Sequence, residues 1–228
     1  MKKFLILPII ALMTSFVPMY AEQNNSATGN SESAAKAEEL NKRASWIIIL
    51  NSTNTDSLNL AVKLCTEAIE LDGELADAFF NRGDAYYFLG DFTTAIKDFD
   101  IAVEKRGDAY DHQFRGETRV KLGDNDGALA DFKKAADKGF SSTASGAHLA
   151  MNDANDLGIL FYDAEQYDKA VEAFTISVNA QENKNNTFNR ANAEYLAGDK
   201  AAALVDWKRS GKLGNKSGKE SYKKFRKG

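Results

Sequence analysis

The sequence predicts an all-α protein: a right-handed solenoid of about five stacked antiparallel helix pairs, the first degenerate, closed by a C-terminal capping helix. Three observations predict it. One pattern recurs at Gly83, Ala95, Phe99 and Ala102, at Gly116, Ala128, Phe132 and Ala135, at Gly158, Ala170, Phe174 and Ser177, and at Ala191, Ala203, Trp207 and Ser210. Matching residues are 33 apart, except for 42 between the second and third sets; a period in this range marks a repeat array rather than an enzyme core. The last three residues of each set are spaced i, i+4, i+7, one stripe of a helix. Finally, Leu89-Gly90-Asp91, Leu122-Gly123-Asp124 and Ala197-Gly198-Asp199 pair a helix-ending Gly with a helix-starting Asp.

Taken in chain order, Met1-Lys-Lys followed by the apolar run Phe4 to Val17 and the small Ala21 reads as a secretory signal peptide, residues 1–21. The run is too short for a comfortable membrane span; an uncleaved N-terminal anchor is the alternative. The short basic start suggests a bacterial envelope or secreted protein. Residues 22–39, rich in Asn, Ser, Ala and Glu without an aromatic ring, read as a flexible spacer.

The repeat domain is expected over residues 40–215. Its first unit is poor. Leu60 to Asp72 forms a good second helix, but the first helix, around residues 42–55, has Ile49 where a small anchor belongs, and Asn51-Ser-Thr-Asn-Thr is unfavourable to helix. In the four regular units, a small anchor (Gly83, Gly116, Gly158, Ala191) faces the small residue twelve positions on, so two helices approach closely beside an aromatic filler. The fourth unit has Asp163-Ala164-Glu165 without a turn Gly, which predicts a less ideal turn. The 42-residue step places an insertion at about residues 141–150, read as a loop from Ser141-Ser-Thr-Ala-Ser-Gly146.

This set resembles the tetratricopeptide repeat. Residues 78–102 match its pattern almost continuously, and 109–140, 151–182 and 184–215 match with more departures. The resemblance implies a non-enzymatic binding scaffold whose first helices line a concave groove for a protein or peptide segment. One family feature is missing: a Pro usually follows the second helix, whereas the chain's prolines are Pro8 and Pro18. Members that clamp a C-terminal carboxylate do so with Lys, Arg and Asn. Asn81 and Asn189 lie near one such position, but the cations are absent, which argues against that mode.

In such a stack, the exposed groove positions lie three before and four after the anchor. They hold Trp46, Phe80, Gln113, Asn155 and Phe188, and Thr53, Tyr87, Val120, Tyr162 and Tyr195. The aromatic members other than Trp46, with Asp84, form the candidate partner site: Phe80, Asp84, Tyr87, Tyr162, Phe188 and Tyr195. Exposed rings bury much area at small entropic cost; filling the tight inner curve would equally explain them. The neighbouring Asp77, Asp84, Glu117 and Asp163 favour a basic partner.

Net charge is −4, yet Arg209 to Gly228 sets eight basic residues against Glu220 alone. The body is therefore acidic, which disfavours nucleic acid, and the segment 216–228 is basic. It reads first as a solvated cap whose apolar side is Leu213, Tyr222 and Phe225, and second as a contact for membrane or polyanion. No catalytic, metal or cofactor site is expected. Cys65 sits at an aromatic beat and reads as a buried thiol. His112 and His148 lack ligand partners at metal spacing, and Asp108, Asp111 and Asp153 read as surface and helix-end acids.

Overall fold

A computed structural model describes residues 27–138 and 144–226. The proposed signal peptide lies outside the described residues, as do residues 22–26 of the spacer. Among the described residues there are eleven helices and no strand: α1 (Ala27–Asn51), α2 (Thr55–Leu71), α3 (Ala76–Phe88), α4 (Phe92–Lys105), α5 (Ala109–Leu122), α6 (Asn125–Asp137), α7 (Ala144–Asp163), α8 (Tyr167–Ala180), α9 (Lys184–Ala197), α10 (Lys200–Lys212) and α11 (Lys216–Phe225). They pack as five consecutive pairs with α11 laid on α10. The first helices also meet one another at each junction, α1 with α3 through α7 with α9. They therefore form one continuous layer, the inner side of the stack. No described helix is long and apolar enough to cross a membrane.

The predicted repeat positions are the core. Ala95, Phe99 and Ala102 are fully buried, as are Ala128, Ala135, Ala170, Ala191 and Ala203, with Phe132, Phe174 and Trp207 nearly so. A Cβ added at Gly83, Gly116 or Gly158 would lie 3.1, 2.7 or 2.6 Å from the ring of Phe99, Phe132 or Phe174. The anchor is small because the aromatic filler lies against it.

The turns follow the Gly-Asp expectation. Gly123 and Gly198 close α5 and α9 in the left-handed region, which costs Gly nothing. Asp91, Asp124 and Asp199 each accept a hydrogen bond from a backbone N–H in the next helix, filling a donor left open at a helix start. In the fourth unit Glu165 takes the Gly role with φ 59°, and Gln166 caps α8 without a side-chain bond.

The first unit departs from the expectation. Residues 27–39 are helix rather than spacer, because Ala37, Leu40, Ala44 and Ile48 make a buried stripe against α2. The anchor is not missing: it is Ala44, five residues ahead of the expected position, while Ile49 faces outward at 67% exposure. The register is fixed by a side-chain bond. Asn81 Nδ2 donates to Asn41 Oδ1 at 2.7 Å, and Asn189 Nδ2 donates to Asn155 Oδ1 at 3.1 Å. In both, the Asn two before one anchor meets the Asn three before the preceding anchor. Trp46 and Thr53 therefore leave the groove columns, where Asn41 and Ile48 take their places.

The insertion is also corrected. α7 begins at Ala144 and runs 20 residues, against 13 to 14 in the other first helices of regular units. Most of the extra length continues a helix; residues 139–143 lie outside the described residues.

Candidate partner-binding groove

Each regular junction brings one rung of side chains together on the inner layer. Between α1 and α3 and between α7 and α9 the rung is an Asn pair. Between α3 and α5 it is aromatic: the Phe80 and Phe114 rings meet edge-on at 5.0 Å, and Phe80 also meets Phe99 at 5.6 Å. Arg106 covers the Phe80 ring at 5.5 Å and pairs with Asp77 and Asp111. Half-buried Phe80 lines a 480 Å³ recess with Asp77, Asn81, Arg106 and Tyr110. Its ring thus both packs the inner curve and borders open space.

The next junction, α5 against α7, is different in kind. Gln113 Nε2 donates to Glu117 Oε1 at 3.1 Å and to Asp153 Oδ2 at 2.9 Å. Gln113 thus holds Glu117 and Asp153 side by side, and burial followed by the Asp153 charge holds Glu117 well above the usual carboxylate range. Two acids so close retain one proton between them. Asp84 stands near enough to raise both Glu117 and Tyr87. Burial pushes Asp84 itself up to about 7. Its Oδ1 is enclosed without a hydrogen-bond partner. Tyr87, Val120, Leu157, the acids Glu117, Asp153 and Asp156, and one base, Lys121, line a 160 Å³ recess over Phe132. The geometry is an acidic niche with one aromatic wall, suited to an ammonium or guanidinium group.

The remaining predicted residues are placed differently. Tyr162 packs on Tyr167 at 5.6 Å, as Tyr87 packs on Phe92 at 5.3 Å, each bracing a turn within its own unit. Tyr195 meets both Trp207 and Phe225, and Phe188 packs in the same cluster. The cap α11 therefore occupies that end of the aromatic column. Asp84, Tyr87 and Phe80 converge on the α3–α5–α7 stretch; Tyr162, Phe188 and Tyr195 do not.

Sequence reasoning missed Gln113 as the bridge between Glu117 and Asp153, having placed Asp153 among surface acids. It also missed an ion pair inside three units. Arg82 donates to Asp98, Arg115 to Asp131 and Arg190 to Asp206, each joining the residue before the anchor to the residue before the aromatic filler. In the fourth unit the same two positions hold Leu157 and Ala173, both fully buried. Asp131 is the most heavily bound, accepting also from Arg119 Nη1 at 2.6 Å and lying 3.2 Å from His112 Nδ1. His112 is thus committed to a structural carboxylate. The His148 side chain lies outside the described residues. Among the described residues no His, Cys, Asp and Glu gather as a metal-binding group. Burial pushes the Cys65 thiol up to about 12, so it stays protonated.

The chain matches the family model for the tetratricopeptide repeat over residues 80–142 and 155–210. These spans are just over half of the chain, which belongs to the tetratricopeptide repeat family. DnaJ protein P58IPK homolog A of Oryza sativa subsp. japonica is 31% identical over 116 residues, 50% of this chain and 23% of that protein; the chain thus spans under a quarter of that relative. Among solved structures it is similar to YrrB, described as a TPR protein with an unusual peptide-binding site, with TM-score 0.59 at 16% identity over 88% of this chain and 98% of that one. It is also similar to MamA 41-end from Desulfovibrio magneticus RS-1, with TM-score 0.54 at 18% identity over 78% and 94%. At these identities the two likenesses speak for the fold.

Proposed function

We propose that this chain is a non-enzymatic interaction scaffold of the bacterial envelope or secreted space, holding an extended protein or peptide segment against its first helices. Proteins of this repeat family are generally non-catalytic scaffolds. The observation that carries the groove assignment is the Tyr87–Glu117–Asp153 recess, with the enclosed, unpartnered Asp84 oxygen behind it. A lysine or arginine of the partner would fill it, pairing with Asp153 and Glu117 and lying against Tyr87, with the Asp84 charge behind them. The peptide-binding description of YrrB supports a groove in use. The export reading rests on residues 1–21.

The test is equilibrium binding of extended peptides with and without Lys or Arg to the wild type and to an Asp84→Asn, Glu117→Gln, Tyr87→Ala variant. Loss of about tenfold or more, restricted to basic peptides and with unchanged circular dichroism, is expected for removal of a desolvated charge contact. Equal binding by the variant rejects the groove assignment.

A second reading, attachment to membrane or polyanion through the basic C-terminal helix, is favoured by one observation: the cations of α11 make no ion pair among the described residues, while Arg209 ahead of it pairs with Glu182.

A further inference from the structure

We infer that α10 and α11 together form a docking site for the phosphate groups of an anionic lipid bilayer, met by the end of the array. The inference rests on the second reading above and narrows it.

The site is built by two helices, not by a tail. Lys208 and Lys212 of α10, Lys219 and Lys223 of α11, and Arg226 at its C-terminal cap line one 380 Å³ recess with Tyr222 and Gly211. No carboxylate lines it. Close approach makes it possible: a Cβ on Gly211 would stand 3.1 Å from the Lys219 backbone. Lys208 and Arg226 lie over the Tyr222 ring at 5.7 and 5.8 Å, so the ring fixes two cations that would otherwise spread apart. Like charges gathered without a counter-ion repel one another, and an anionic ligand relieves that repulsion.

Two features point to a bilayer rather than a free polyanion. Val205 shares the α10 stripe with Lys208 and Lys212 and is 63% exposed; an apolar group among cations has a use at a headgroup boundary and none on a soluble polyanion. The site also lies on the closing helix, so docking there leaves the Asp84–Tyr87 niche free. The larger rings of α11 are spent inward, with Phe225 stacked on Trp207 at 5.2 Å. Attachment is therefore electrostatic and reversible by salt.

The test is co-sedimentation of the full chain with vesicles of phosphatidylcholine alone or mixed with phosphatidylglycerol, at low and high ionic strength. Phosphatidylcholine alone removes any contribution of the apolar residues 4–17. The expected result is binding that needs phosphatidylglycerol, falls with salt, and weakens about fivefold per cation removed in both Lys208→Gln/Lys212→Gln and Lys219→Gln/Lys223→Gln, with thermal unfolding unchanged. Loss only in the α11 variant overturns the two-helix site and leaves a basic tail. Binding of inorganic polyphosphate but not of vesicles overturns the bilayer and leaves the polyanion reading. Binding of neither overturns both.

Discussion

The Arg82 guanidinium donates from Nε and Nη2 to the two carboxylate oxygens of Asp98, each at 2.8 Å. Asp98 is 4% exposed, so the pair ties α3 to α4 through a largely dehydrated contact. Removing Arg82 alone strands a buried carboxylate and is expected to cost about 2–4 kcal/mol. The fourth unit already shows the apolar alternative, Leu157 with Ala173. The double variant Arg82→Leu/Asp98→Ala is therefore expected to recover most of that loss. Urea unfolding of the single and double variants measures it; additive losses would contradict a closed pair.

The glycine anchors are not equivalent. Alanine in a helix is favoured over glycine by about 1 kcal/mol, which opposes any clash. At Gly83 the added methyl meets Phe99 at 3.1 Å, and at Gly158 it meets Phe174 at 2.6 Å. Gly83→Ala is expected to be nearly neutral, whereas Gly158→Ala should destabilise by about 1–3 kcal/mol. Thermal unfolding of the two variants ranks them.

Glu165 holds a left-handed backbone at φ 59° where three other units have glycine. A side chain there costs about 1 kcal/mol. Glu165→Gly is expected to raise stability by about that amount, an inversion of the usual effect of glycine. A lowered unfolding midpoint would show that the Glu165 side chain contributes a contact of its own.

Asp84 gives a pH signature. Its folded value, about 7, lies above the ordinary aspartate value of 3.8, so folding takes up a proton between them. Its unfavourable contribution is absent below about pH 4, grows as pH rises, and is complete above about pH 7. Asp84→Asn should leave stability at pH 4 unchanged and raise it by about 2 kcal/mol at pH 8. A difference independent of pH would place the ionised carboxylate in solvent. A cationic partner in the niche would expel the same proton, detectable by calorimetry in buffers of different ionisation enthalpy.

Much of this molecule was legible in its sequence, because a repeat states the same contact several times. That Gly83, Ala95 and Phe99 mark one helix contact was readable once the sets at Gly116 and Gly158 stood beside it, although Gly83 was expected against Ala95 and its nearest neighbour is the Phe99 ring. The Arg–Asp tie was equally present, in Arg82-Gly83 with Asp98-Phe99 and its copies, but opposite charges 16 residues apart in number share no helical stripe and escape a search for apolar period. α1 was hidden differently. Its buried stripe uses Ala37 and Ala44 among Asn, Ser and Glu, so composition resembled a spacer while spacing was helical. The Asp84 niche needed three dimensions, since Asp84, Glu117 and Asp153 come from three separate helices.

The joint beneath that niche is crossed by charged side chains, with Lys169 paired to Asp126 and Lys133 to Glu172. Because Glu117 and Asp153 stand on opposite sides of it, any sliding of one unit against the next would part these two acids and change the charge of the groove. The shape of the array is thereby linked to what its groove can hold.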